Sequence, residues 1–465
     1  MHISFHGAAG DVTGSCHLLH IGNQQILIDC GLFQGSRRLH EENSEPFGFD
    51  PAQIDLLLLT HAHLDHCGRI PLLVKQGFRG RILTTPATLD LAKLVLHDAA
   101  ALQGEEARRH HVRPLYDAGD VQQALERMEG GIAYGAAREV AAGVRATFHD
   151  AGHILGSAWI LLELEEGGQR RRVVFSGDLG NRNKPILNPP EPAPPADVLV
   201  MESTYGDRNH RSQAESVAEF RSALETTLPG GGNVVIPTFA LERAQDLLYY
   251  LRAMAAEGKL PAATPVFLDS PMAISATEIF RRHPECFNAE MKALLASGTD
   301  PFALPKLAFT RTAESSQAIG SARGAIIMAG SGMATGGRIL HHLQNNLASS
   351  ANRIVFVGYA AQGTPARQII DGAKEVKLYG ETIAVRAQVS TIGGFSAHAD
   401  HDDLLAWALA SGKPAQVLLV HGEPQAAQVL AQALADHGLS AAIPRLGDKF
   451  ELSAGNAARA RTQGQ

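Results

Sequence analysis

The segment from Ile54 to Pro71, IDLLLLTHAHLDHCGRIP, runs an apolar stretch straight into three histidines and an aspartate, all between His61 and His66. A short continuous apolar run bounded in this way reads as a buried strand. Polar groups at its end are costly to remove from water unless something binds them. Alternate side chains of an extended segment share a face, so His61 and His63 project together. Asp65 and His66 lie one turn further on and can serve a neighbouring position. Imidazole and carboxylate suit Zn²⁺, and less tightly Mn²⁺ or Fe²⁺. A lone histidine would make only a polar turn, but H-x-H-x-D-H after an apolar strand points to metal. One loop cannot complete two coordination shells, so the fold must bring the ends of other strands to the same rim.

Three segments repeat the layout of a β run ending in a ligand-type residue beside glycine. They are FHDAGHILGSAW with His153, VVFSGDLG with Asp178, and VLLVHGEP with His421. Strands of one sheet gather their ends along one edge, so this set can converge. The first two hundred residues alternate short β-rich runs with glycine turns. Residues 87–130 read as a helical insertion or excursion. The proline-rich NPPEPAPPAD (188–197) can continue neither a helix nor a central strand and reads as an extended surface connection. From about Tyr205, helices alternate with β runs, the pattern of a parallel α/β sheet. After about Gly380 the strand-rich character returns. The expected domains are therefore 1–204, an insertion at 205–379, and a return of the first domain at 380–465, with a frayed tail at 454–465.

The chain of 465 residues is too long for one domain by the usual size prior. Its net charge of −7 gives no argument for a nucleic-acid partner. A local positive site, including bound cations, can still neutralise phosphate. The basic run RRHHVR (108–113) could contribute but reads more simply as a solvated helix end. No apolar run is long enough to span a bilayer, and the N-terminus has no secretion pattern. Cys16, Cys30, Cys67 and Cys286 form no C-x-x-C pair or disulfide framework. A reducing cytoplasm is expected.

Taken in order, HAHLDH, Gly-His153, Gly-Asp178 and His421 resemble the metallo-β-lactamase superfamily pattern, and Asp29 in LIDCG resembles its first motif. VLVMESTYGDR, with Glu202, resembles motif A of the β-CASP branch. GGFSAHADH, with His398, resembles motif B, and VLLVHGEP resembles motif C. The resemblance runs from Asp11 to about Gly447 and is to the RNA-processing nucleases. It implies a metallo-β-lactamase αββα sandwich with an inserted α/β β-CASP domain, a parallel sheet flanked by helices. It also implies that His61, His63 and His153 bind one zinc, that Asp65, His66 and His421 bind the other, and that Asp178 bridges them. Asp29 supports the metal loop from behind. A histidine at motif C, here His421, accompanies RNA rather than DNA substrates in this family.

Two metals about 3.5–4 Å apart activate a shared water as hydroxide and neutralise charge on the phosphoryl oxygens. The leaving oxygen still needs a proton, a task suited to histidine. The resemblance assigns it to His398, oriented by Glu202; with Asp65 these make the expected catalytic residues. His401 reads as solvent-facing or structural. AGSGMATGGR (329–338) reads as a strand and glycine-rich turn entering a helix, where backbone N–H groups attract phosphate. Ser331, Gly332, Met333 and Thr335 are its candidates, and Ser270 in LDSPMA is another, with a helix cap as the simpler reading. The expected activity is ribonucleolytic, endonucleolytic or 5′-exonucleolytic, on single-stranded RNA, with two Zn²⁺ and Mn²⁺ as a substitute. The length is read as that of a compact bacterial type, and the oligomeric state is left open. The competing readings are a small-substrate thioesterase or lactonase and a non-catalytic scaffold; the intact ligand set argues against the second.

Overall fold

The apolar runs read from the sequence form the centres of three sheets, and each run is buried where its neighbours in the sheet are buried. The computed structural model describes residues 1–452 apart from Ser36, Tyr359 and Gln362; the tail expected at 454–465 lies outside them. The chain divides into two compact units. One comprises 1–184, 188–209 and 398 onward, and the other 185–187 and 210–397.

The first unit contains two seven-stranded sheets. Alternation along the strands decides what faces what. Leu56 and Leu58 join Ile3, Phe5, Phe148, Ile160, Val173, Val198 and Leu418 in one core between the sheets. The outer face of the second sheet, with Trp159, Leu161, Val174 and Leu199, is covered by Leu404, Trp407, Leu430 and Leu434. These belong to the helices His401–Ala410 and Pro424–Asp436. In the first sheet, strands Gln24–Ile28, Leu56–Leu58, Arg81–Leu83 and Met128–Glu129 run parallel. Their crossovers carry helices Ile70–Lys75, Pro86–His110 and Ala118–Leu125. Because the inner face is filled by the shared core, these helices take the outer face. Residues 87–130 are thus an integral crossover rather than an excursion. Arg108 and Arg109 lie exposed at a helix end.

Register places the polar loops together. Gln169–Phe175, Val198–Glu202 and Gln416–Val420 pair in parallel, with Phe175 opposite Val200 and Glu202 opposite Val420. The loops beginning at Ser176, Ser203 and His421 therefore leave the same edge. The Ala151–Ser157 loop joins two antiparallel strands at that edge, Asp150 pairing with Ala158. In the first sheet Ile28 pairs with Leu58, so Asp29 and the His61 loop emerge side by side.

The second unit holds a parallel six-stranded sheet, flanked by helices such as Gln213–Thr227 and Arg243–Ala256. Ser212 and Glu215 close the first of these with a reciprocal capping box. The expected return at 380 falls later in the described chain. Strand Gln388–Thr391 pairs parallel with Arg353–Phe356 and extends this sheet, so the second unit continues to Ala397. No helix among the described residues is long and apolar enough to cross a membrane.

Leu58 is fully buried in the core between the sheets. Leu58→Ala is expected to lower unfolding free energy by about 2–5 kcal/mol. Val429→Ala, at a position 40% exposed, should change it by roughly 0.5 kcal/mol or less. Urea unfolding of both variants checks the difference.

Candidate metal centre

Asp178 follows strand Gln169–Phe175 across Ser176 and Gly177; Gly177 has φ +51°, and a Cβ there would lie 2.9 Å from Thr60 Cβ. Only glycine lets the turn approach the histidine loop this closely. The two oxygens of Asp178 then face different groups. Its Oδ2 is 3.5 Å from Nε2 of both His61 and His153. Its Oδ1 is 3.2 Å from His66 Nε2 and 3.5 Å from His421 Nδ1. His63 Nδ1 is 3.1 Å from Nε2 of both His61 and His153. His421 Nε2 is 3.4 Å from Asp65 Oδ2.

Two donor sets with no residue in common are each compact enough to hold one ion, and a third grouping, Asp178, Glu202 and His421, draws on both. The two sets are His61, His63, His153 and Asp178, and Asp65, His66 and His421. Two buried atoms left without a hydrogen-bond partner lie within them, His66 Nε2 and Asp178 Oδ1. Buried polar atoms are normally satisfied, and His66 Nε2 and Asp178 Oδ1 point at one another across 3.2 Å. Nitrogen and carboxylate oxygen in this number and burial fit Zn²⁺ or a similar divalent ion.

Protonation agrees with that fit. Burial holds His61 and His153 well below the ordinary imidazole range and His63 down at about 4, so their nitrogens are bare donors. Burial would push Asp178 up, but His421 and His66 hold it well below the carboxylate range. Burial likewise opposes protonation of His66 and His421, yet Asp178 raises both. The carboxylates thus draw positive charge to the position a cation would take.

The supporting residues set the ring tautomers. Asp29 Oδ1 accepts from Thr60 N at 2.8 Å. Its Oδ2 accepts from Thr60 Oγ1 at 2.8 Å and from His66 Nδ1 at 2.7 Å. The Thr60 hydroxyl has then given its proton away and accepts from His61 Nδ1 at 3.1 Å. One aspartate therefore turns the Nε2 edges of two histidines, one from each set, toward Asp178. Thr204 repeats the device: its hydroxyl donates to the His421 carbonyl at 3.0 Å and accepts from His421 Nδ1 at 3.1 Å. Sequence reasoning missed Thr60, Thr204 and Lys184, whose ammonium donates to the His153 carbonyl. The only signal for the two threonines was a hydroxyl one or two positions from a motif residue, in THAH and ESTY, and Lys184 had none.

His398 lies beside both sets. Its Nδ1 is 3.2 Å from Glu202 Oε2 and 3.9 Å from Asp178 Oδ2, and its ring centroid is 4.4 Å from that of His153. Burial opposes its charge, but the Glu202 carboxylate prevails and holds its pKa at about 9. Glu202 is itself fully buried and fixed by Leu179 N at 2.5 Å. His401 is structural, donating to the Gly206 carbonyl at 2.6 Å.

In the second unit, Ser270 caps helix Pro271–Arg282 by accepting from Ala273 N at 3.3 Å. The helix after the glycine-rich turn starts only at Ile339. Ser331, Gly332, Met333 and Thr335 therefore sit in a loop, not at a helix start. The Ser331 N–H bonds Gly336 O at 3.1 Å and the Thr335 N–H bonds Ser331 Oγ at 3.1 Å, while the Ser331 hydroxyl donates to Gly336 O at 3.3 Å and lies 3.2 Å from Thr335 Oγ1, so both amides and the Ser331 hydroxyl are engaged within the loop.

Three family descriptions match in chain order. Residues 9–131 match the metallo-beta-lactamase superfamily, 244–369 the Beta-Casp domain, and 382–444 the Zn-dependent metallo-hydrolase RNA specificity domain. A relative from Thermus thermophilus named ribonuclease TTHA0252 is 43% identical over 95% of this chain and 98% of its own length. The chain belongs to the β-CASP family of the metallo-β-lactamase superfamily. Two other β-CASP relatives are the transcription termination factor FttA of Methanosarcina mazei and an RNase J-like protein of Methanocaldococcus jannaschii. The first is 33% identical over 92% of this chain and 68% of its own length, and the second 30% identical over 90% and 92%. A crystal structure of a protein of unknown function from Enterococcus faecalis shares the fold at TM-score 0.52 and 14% identity, covering 97% of this chain and 99% of that one.

Asp29→Ala would leave Thr60 and His66 Nδ1 without their buried acceptor. It is expected to cost about 1–3 kcal/mol of stability and to weaken metal affinity roughly 10- to 100-fold. Urea unfolding and metal titration measure the two effects separately.

Proposed function

We propose that this protein is a zinc-dependent ribonuclease that hydrolyses RNA phosphodiester bonds at a two-metal centre with a histidine general acid. The observation that carries this reading is the division of Asp178 between two histidine sets, with the His398–Glu202 pair alongside. His61, His63 and His153 would hold one ion and Asp65, His66 and His421 the other, with Asp178 shared. When bound, such ions stabilise charge on phosphoryl oxygens and make a water acidic enough to attack near neutral pH.

The remaining work falls to side chains of this chain. Asp65, whose side chain is 18% exposed against 1% for Asp178, would accept a proton from the attacking water. His398 directs Nδ1–H to Glu202, which leaves its Nε2 proton for the departing ribose oxygen. Glu202 orients the ring and favours its charged form; it is a positioning residue. Ser331, Gly332, Met333, Thr335 and Ser270 are proposed to hold substrate phosphates. RNA as substrate is supported by the relative named a ribonuclease, which aligns over nearly its whole length, and by the match to an RNA specificity domain. No disulfide joins the four cysteines among the described residues and all four are buried, as suits a reducing cytoplasm.

The test is cleavage of end-labelled single-stranded RNA by the zinc-loaded protein, abolished by a chelator and restored by Zn²⁺ or Mn²⁺. Turnover of a thioester or lactone without RNA cleavage would overturn the reading. His398→Ala is expected to retain both metals by elemental analysis while kcat falls about 10²- to 10⁴-fold. Loss of metal from that variant would make His398 a ligand instead.

A further inference from the structure

The sheet of the second unit places a second kind of contact beside the glycine-rich loop. Its strands lie in the order Leu307–Phe309, Val266–Leu268, Ile326–Ala329, Val234–Pro237, Arg353–Phe356, Gln388–Thr391. All run parallel, so their carboxyl ends share one edge. Following the chain, the connections after Val234–Pro237 and Val266–Leu268 lead toward one side of the sheet. Those after Ile326–Ala329 and Arg353–Phe356 lead toward the other. Neighbouring strands whose connections diverge leave a crevice between their carboxyl ends, the usual ligand position of an open α/β sheet. There are two such crevices. The first lies between Val266–Leu268 and Ile326–Ala329, where Ser270 and Ser331 emerge. The second lies between Val234–Pro237 and Arg353–Phe356, where Phe239 and Gly358 emerge.

Phe239 is 43% exposed, one of the few large apolar side chains open to solvent among the described residues. It is not a loose loop residue. Thr238 N bonds Ala329 O at 2.9 Å, and buried Gln245 donates to Ala240 O at 3.2 Å. One edge of its ring lies against Gly332, where a side chain would have to displace it, and within ordinary contact of Gly358. A Cβ at Gly332 would come 2.7 Å from Phe239 Cε2, and one at Gly358 would come 3.6 Å from the same atom. The ring is thus seated on the glycine-rich loop with its remaining surface open. A seated, exposed aromatic beside the glycine-rich loop proposed above to hold phosphate matches the requirements for single-stranded nucleic acid. Such proteins hold the backbone through polar contacts and stack bases on aromatic faces.

We infer that Phe239 is a stacking platform for one base of the single-stranded RNA substrate, adjoining the phosphate contacts at Ser331 and Thr335. This rests on the ribonuclease reading above.

Steady-state cleavage of a decauridylate by the zinc-loaded full chain tests it, comparing wild type, Phe239→Ala, Phe239→Leu and Phe239→Trp. Stacking is expected to raise KM about tenfold in Phe239→Ala and in Phe239→Leu, with a much smaller change in kcat, and Phe239→Trp should restore wild-type KM. Trp159 and Trp407 are buried, so wild-type emission should not respond to decauridylate, whereas the added indole of Phe239→Trp should be quenched. A KM within twofold of wild type for Phe239→Ala, or full restoration by Phe239→Leu, would overturn the stacking role. In either case a wild-type protein that still cleaves RNA keeps the ribonuclease reading intact, whereas a wild type inert toward RNA would strike at that reading first.

Discussion

Asp178 is 2% exposed and lies within 3.5 Å of four histidine side chains, two on each carboxylate oxygen. A carboxylate stripped of water is tolerated only when positive charge or hydrogen-bond donors compensate it. Here neutral imidazoles face Oδ2, while the histidines facing Oδ1 are held toward their charged forms. The bare nitrogens of His61, His63 and His153 already suit an ion, and a second ion would displace the protons drawn to His66 and His421.

The rest of the first unit serves that carboxylate. Both sheets aim their strand ends at it, and the parallel pairing of Phe175 with Val200 and of Glu202 with Val420 brings residues more than two hundred positions apart to one edge. Catalysis by such a centre depends on geometry held before substrate arrives. The Asp29–Thr60–His61 chain and the Thr204–His421 pair supply it by fixing which ring nitrogen is bare. Glu202 orients His398 in turn by accepting its Nδ1–H, which leaves the opposite edge of the ring, with Nε2, pointing away from Glu202.

Much of this was legible in the sequence, for physical reasons. A polar ligand after an apolar run must sit at a strand end, so His61, His63, His66, His153, Asp178 and His421 could be named before any pairing was known. Thr60 and Thr204 could not, because a hydroxyl that sets a tautomer carries no spacing of its own. Strand composition identified Gln388–Thr391 as β structure but not its sheet. That strand is only intermediate in burial and pairs at the edge of the inserted sheet, so its neighbour is a matter of long-range register. The crossover at Pro86–His110 was misread as an excursion because its closing strand, Met128–Glu129, is two residues long. The stacking position at Phe239 was hidden for another reason. A phenylalanine after a buried strand reads as core, and only the folded chain shows its ring 43% exposed beside Gly332.

The central claim is that two ions share one carboxylate. Anomalous scattering at the zinc edge from crystals of the zinc-loaded protein tests it most directly. Two peaks about 3.5–4 Å apart are expected. One should lie among His61, His63 and His153 and the other among Asp65, His66 and His421, with Asp178 between them. A single peak at full occupancy, or peaks that leave Asp178 uncoordinated, would contradict it.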